Sequence, residues 1–301
     1  MSGLSACPYA TPNDDDLTGV VTHLAELTTR RGPEPRDPNE PEVRWLLEAG
    51  IRALGEAVLD REANHDSHVA YTNANGLFDT LPVERVMESF RDMCREQGVD
   101  PGSANKARLI RRWTFAANYQ LDLAAYLFRP AVHTTRLTES HARLLQAIPE
   151  LTFGELITRI ATEETERSPI GHLYRLQNVM RLMFPRDETI RGYVARNYEV
   201  QLALWAASYA AIGTAYQLPI NLHEDSLIDL SKVLGLVIEG AVLRATGYPD
   251  NATCVDGTLA AVVALRSILC ALTGVSWDEL AERTAQVATP ERSDNTITAF
   301  S

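Results

Sequence analysis

Apolar residues recur at three- and four-residue spacings along most of this chain, and that period predicts helices. In VRWLLEAGIRALGEAVLDRE (43–62), Trp45, Leu46, Ala49, Ala53, Leu54 and Ala57 share one side, which predicts an amphipathic helix. Polar and turn-prone residues interrupt the pattern at 63–80 (ANHDSHVAYTNANGLFDT). Beyond Pro82, VERVMESFRDMCREQ places Val83, Val86, Met87, Phe90 and Met93 on one face, and Gly98 suits the stop. GVDPGSANKARLIRRW then turns and starts again, with Asp100 or Ser103 available as N-cap, and a further helix runs through Ala124–Phe128.

Helical stretches continue over 150–167, 170–184, 188–217, 224–247 and 255–272, with Pro169, Pro185, Pro219 and Pro249 in the gaps. No stretch alternates with period two, so no sheet is expected. The chain reads as all-α, with roughly nine to eleven helices and no internal repeat. Residues 276–301 are expected to add one short helix (SWDELAERTAQ) and then fray. The first 42 residues have another texture. Asp14–Arg31 fits one short helix, and GPEPRDPNEPE (32–42) carries four prolines, so a mobile arm is expected for 1–42.

No apolar run approaches the ~20 residues of a membrane span, and MSGLSACPYATPNDDD does not read as a secretory signal. Cys7, Cys94, Cys254 and Cys270 form no C-x-x-C pair, which suits a reducing cytoplasm and offers no zinc site. The net charge of −12 is unevenly spread: −8 over 1–81, +2 over 82–130 and −6 over 131–301. Only the middle segment approaches a polyanion without strong repulsion.

Commonplace catalytic signatures are missing. No G-x-S-x-G, H-E-x-x-H, Walker-type or G-x-G-x-x-G motif occurs, so no catalytic residue, cofactor or metal is expected. His65 and His68 form an H-x-x-H without an evident third ligand, and Asp14–Asp16 lack a D-D-x-x-D pattern; solvated positions are expected for both.

The positive signal lies at 82–128. A helix, a turn of five or six residues containing Gly98 and Gly102, and a helix opening with Ser103, Asn105, Lys106, Arg108, Arg111 and Arg112 make a helix-turn-helix pattern. Arg and Lys donate to guanine edges in a major groove, Asn reads adenine, and Ser at a helix start holds phosphate. The competing reading is a solvated basic face, or arginines paired to neighbouring carboxylates. Farther on, Tyr174, Asn178, Met183, Trp205 and Tyr209 fall at helical spacings that suit one ligand cavity, and equally suit core.

The order of an amphipathic helix (43–62), a helix-turn-helix (82–113), an aromatic-rich helix (113–128) and a long helical remainder resembles the TetR family of bacterial repressors. LIDLSKVLGLVIEGAVLRATGYPD…VDGTLAAVVALRSILCALTG is similar to the last two helices of such regulators. The resemblance covers about 43–275, with an insertion at 63–80, an extended second helix and a loose match at RLIRRWTFAANYQ. It implies a cytoplasmic homodimer. Residues 43–130 would bind a double-stranded DNA operator. Residues 131–275 would bind a small apolar or aromatic effector, and 226–247 with 255–273 would form the dimer interface. The alternatives are an α-helical enzyme acting on an apolar substrate, or a degenerate regulator that binds a protein partner instead of DNA.

Overall fold

The 3.6-residue period is realised in eleven α-helices among the residues that the computed structural model describes, which are 4, 6–10, 14–29, 32–59, 81–167, 172–247 and 252–286. The architecture is mostly helical, as the sequence pattern requires. In chain order the helices are α1 (Pro41–Leu59), α2 (Val83–Glu96), α3 (Lys106–Trp113), α4 (Ala116–Leu127), α5 (Pro130–Ala147), α6 (Phe153–Arg167), α7 (His172–Met183), α8 (Glu188–Ala215), α9 (Glu224–Gly247), α10 (Ala260–Thr273) and α11 (Trp277–Ala281). One sheet was not expected: β1 (Leu27–Thr29) pairs antiparallel with β2 (Gly32–Glu34), Leu27 opposite Glu34. Three residues per strand are too few to show a period in sequence. No helix among the described residues is long and apolar enough to cross a membrane.

Local chemistry sets the turns that matter. α2 ends in a Schellman motif: Gly98, at φ +64, donates to the Arg95 carbonyl, and Val99 donates to that of Cys94. Asp100 Oδ1 then accepts from the Gly102 amide at 2.9 Å, closing an Asx turn. Residues 97–105 therefore separate α2 from α3, a longer link than the five or six expected. The N-cap position of α3 is Asn105 rather than Ser103 or Asp100, and its side chain makes no cap bond. Between α3 and α4, Thr114 (φ 59, ψ −49) forms a γ-turn, closed by Phe115 N–H donating to the Trp113 carbonyl.

The chain divides into two units, Met1–Glu139 with Arg167–Leu202, and Ser140–Glu166 with Ala203–Ser301. In the first, Trp45 of α1 meets Tyr9 and Phe90 edge-on, with Leu46, Leu54, Val86, Met93, Leu109, Trp113 and Leu123 buried around them. α7 and the start of α8 belong here, not with the C-terminal part as the 43–130 and 131–275 boundaries had it. Leu176, Met180, Phe184 and Ile190 join this core, and the Gln177 side chain donates to the Leu127 carbonyl at 2.7 Å.

The expectation of a mobile arm over 1–42 is corrected as well. Cys7, Leu17 and Val21 are buried in the same core, and no helix forms over the described part of 14–31. Polar anchors hold this segment. Asp122 of α4, fully buried, accepts from the Thr22 and His23 amides, from His23 Nδ1 at 2.7 Å, and from the Trp113 indole at 2.8 Å. Asp15 bridges Arg44 and the buried Arg129, whose guanidinium lies 3.8 Å from the Tyr126 ring. Tyr126 donates to Glu48, a carboxyl that burial pushes above its usual range against the pull of that bond. Of Asp14–Asp16, Asp15 is thus part of the packing, Asp14 and Asp16 are exposed as expected, and no helix starts there.

In the second unit Phe153, Leu156, Ile160, Ile212, Tyr216, Leu234, Val262, Leu265 and Leu269 form a separate core. Thr152 and Glu155 make a capping box at the start of α6, and Tyr216 donates to the Ile148 and Leu151 carbonyls. The short helix expected in SWDELAERTAQ forms as α11 and is packed, with Leu280 fully buried and Phe153 N–H donating to the Arg283 carbonyl. Residues 287–301 lie outside the described residues.

α1 and α4 approach closely at Gly50. A Cβ there would collide with the Tyr119 hydroxyl and come within 2.9 Å of the Leu123 methyls, while Tyr119 is fixed by donating to the Leu46 carbonyl. Gly50→Ala should therefore destabilise the chain by about 1–3 kcal/mol, despite the higher helix propensity of alanine. Chemical denaturation followed by circular dichroism measures it; unchanged or raised stability would contradict the close approach.

Candidate nucleic-acid interface and ligand cluster

α3 is a two-turn helix, too short to persist alone, so its neighbours decide its placement. Leu109 and Trp113 are fully buried and anchor one side. The N-terminal segment holds another. Arg108 Nε donates to Glu42 Oε1 at 2.7 Å, and Arg112 donates to Glu42 Oε2 at 2.5 Å and to Glu40. Arg108 also donates to the Pro101 carbonyl and lies 4.7 Å over the Phe90 ring. Both arginine side chains are only 14 % exposed.

The electrostatics agree with this geometry. Burial pushes the Glu42 carboxyl upward, but hydrogen bonds from Arg108 and Arg112 outweigh it and hold Glu42 below the usual carboxylate range. Burial likewise opposes the Arg112 charge, and its bonds to Glu42 and Glu40 more than restore it. At the C-terminal end of α3, the Ala25 amide donates to the Arg112 carbonyl at 2.7 Å and Arg36 Nη2 to that of Arg111 at 3.1 Å. Both satisfy carbonyls that the helix leaves open.

The six residues expected to contact DNA therefore part company. Arg108 and Arg112 are half-buried and committed to glutamates, so their assignment to direct base or phosphate contact is corrected. Ser103, Asn105, Lys106 and Arg111 are exposed. Lys106 stands 3.9 Å from the exposed Glu84, a pair that contributes little. Arg111 bonds through Nε to the Ala107 carbonyl within its own helix, and no carboxylate pairs with it among the described residues. Beside it, Phe115 is 65 % exposed, carried outward by the Thr114 turn.

The five expected ligand residues are divided between the two units. Tyr174, Asn178 and Met183 lie on α7 in the first unit; the side chains of Tyr174 and Met183 are outside the described part, and Asn178 is half-buried. Trp205 and Tyr209 lie on α8 in the second unit, with stacked rings 5.7 Å apart. Sequence reasoning missed what joins them there. His141 Nδ1 is 2.6 Å from Ser208 Oγ, whose proton is given to the Leu204 carbonyl, so Nδ1–H of the imidazole donates to Ser208. Glu164, buried, accepts from Ser140, and burial with the Glu164 charge pushes the Tyr209 hydroxyl far up. Ser140, Leu144, Leu156, Ile160, Glu164 and Trp205 line a cavity of about 10 Å³, room for about one water molecule.

His65 and His68 lie outside the described residues, and among those described no three metal-ligating side chains converge. Compared with protein-family models, curated proteins and solved structures, the chain matches none.

The Glu42 pairing carries a pH signature. Because its pKa is lower in the folded chain, its contribution is present above the ordinary value of 4.5 and fades as pH falls through the depressed one. Glu42→Gln should cost about 1.5–3 kcal/mol at neutral pH. That difference from wild type should shrink as pH drops below the usual carboxylate range. Thermal denaturation of both proteins across pH tests this; a difference independent of pH would mean that packing, not charge, holds α3.

Proposed function

We propose that this chain is an effector-responsive dimeric regulator that binds double-stranded DNA through the exposed side of α3, as the TetR family it resembles does. The supporting observation is the division of roles on α3. Leu109, Trp113, Arg108 and Arg112 fix the helix, while Ser103, Asn105, Lys106 and Arg111 stand in solvent at its start and along its outer side. A helix fixed on two sides and lined with donors on the outside is pre-organised for a groove. Arg111 then serves guanine or phosphate, Asn105 adenine, and Ser103 and Lys106 phosphate oxygens.

The second unit supplies the other two properties. Trp205, Tyr209 and the His141–Ser208 pair suit a small aromatic effector that carries one hydrogen-bonding group. The cavity admits about one water, so such an effector must select a widened arrangement and shift the population toward it. Two-fold association uses α9 and α10. Leu227, Leu234 and Val242 of α9 turn inward, whereas Val233, Leu236, Gly240 and Leu243 face solvent at three- and four-residue steps, with Leu236 71 % exposed. An antiparallel pairing of two α9 helices centred on Leu236 sets Asp229 opposite Leu243 of the second copy, one position from its Arg244, and Lys232 opposite its Gly240, one position from its Glu239.

A second reading, binding of a protein partner, draws on a different observation. Phe115, just past the end of α3, and Leu121 of α4 (46 % exposed) hold large apolar side chains in solvent in a chain of net charge −12.

Fluorescence anisotropy with duplexes selected by the protein from random DNA, and scrambled controls, separates these readings. Arg111→Ala should lose about 1–3 kcal/mol of specific affinity without changing stability. Arg108→Ala should chiefly lower the melting temperature. Absence of binding to any duplex, with a folded wild type, would favour the protein-partner reading. Leu236→Glu should turn a dimer into a folded monomer in sedimentation velocity; a wild type already monomeric at micromolar concentration would contradict the α9–α10 interface.

A further inference from the structure

The N-terminal segment brings a third kind of arginine to α3. Arg36, two residues after β2, reaches the C-terminal end of the helix and donates through Nη2 to the Arg111 carbonyl at 3.1 Å. Its Nε is buried and has no hydrogen-bond partner among the described residues. Unlike Arg108 and Arg112, neither Arg36 nor Arg111 has a carboxylate partner among those residues. Four guanidinium groups, Arg36, Arg108, Arg111 and Arg112, thus gather around α3, and the two carboxylates that face them, Glu40 and Glu42, are both spent on Arg108 and Arg112.

Arg36 is half-buried beside like charge, and burial followed by repulsion from Arg112 lowers its pKa against the attraction of Glu40 and Glu42. Its tether to a helix carbonyl fixes where the guanidinium sits, so little side-chain freedom remains to be lost on binding. The solvent side of α3 offers Arg111 one turn from Ala107, with the guanidinium bonded back to its own helix through Nε alone. Two cations without an ion pair among the described residues, one tethered to the helix end and one bonded back to its own helix, suit an oxyanion that takes a bond from each.

We propose that Arg36 and Arg111 together form a phosphodiester-binding site, in which the segment preceding α1 supplies one of two cations that seat a nucleic-acid backbone against α3. The proposal rests on the DNA-binding reading and extends it to a residue outside the helix-turn-helix. It also gives the proline-rich stretch 32–42 a role, since packing against α3 delivers Glu40 and Glu42 to brace the helix and Arg36 to complete its anion site. A backbone contact carries no base preference, so its loss should weaken selected and scrambled duplexes alike.

The test is an anisotropy titration of the full chain, Arg36→Gln, Arg36→Lys and Arg111→Gln against a selected and a scrambled duplex over a range of salt. Arg36→Gln should bind both duplexes roughly tenfold more weakly at about 0.1 M salt, with the log–log salt slope shallower by about 0.9, the value of one phosphate contact. Arg36→Lys should keep most of that slope, and Arg111→Gln should show a similar loss of slope. Melting curves accompany each variant, because loss of the helix-end bond alone would lower the melting temperature and leave the slope unchanged, which would overturn the proposal. Unchanged binding by Arg36→Gln, with wild type binding normally, would overturn it while sparing the DNA-binding reading. Failure of wild type to bind any duplex would overturn both.

Discussion

Two glutamates that flank Pro41 decide what α3 can do. Glu40 and Glu42 take the guanidinium groups of Arg108 and Arg112, far away in sequence, and so fix an eight-residue helix that has too few turns to hold itself. Desolvating four charged groups is costly, and the geometry offsets it: Glu42 accepts through both oxygens and Arg112 donates to both carboxylates. The buried Asp122 continues the same seam by holding the Trp113 indole and the amides of Thr22 and His23. The N-terminal segment is consequently an integral part of the first unit. Without it the helix would lose its brace on one side and the donors that satisfy its last carbonyls.

That seam separates two kinds of arginine that look alike in sequence. RLIRRW contains three within five positions, yet two of them are consumed by the fold and one is free of carboxylates among the described residues. A helix of this period puts residues 108 and 112 on one flank and 111 on another, which was legible; which flank meets glutamates was not, because the partners come from a proline-rich stretch with no helical pattern.

The same limit runs through the rest of the chain. α1, α2, α9 and α10 were legible because their apolar residues repeat every three or four positions and Pro or Gly marks their ends. Cys7, Leu17 and Val21 lie scattered among polar residues, so no period announced that they reach the core. α7 was legible as a helix but not as a member of the first unit, since periodicity gives a buried face and not its neighbour. Trp205 and Tyr209 were found from their spacing. The polar groups that give their cluster its chemistry, His141, Ser208 and Glu164, come from three helices and leave no joint mark in sequence.

The second unit carries an exposed apolar stripe on α9 and a polar cluster beside a cavity with room for about one water, which under the proposed function serve a second copy and an effector. The central claim is that nucleic acid contacts the chain along α3 and the segment that braces it. Hydrogen exchange of the intact protein, measured with and without a selected duplex, tests this most directly. The account predicts that DNA slows exchange in 103–114 and in 32–36 and leaves the outer side of α2 unchanged. Protection elsewhere with none in these two segments would contradict it.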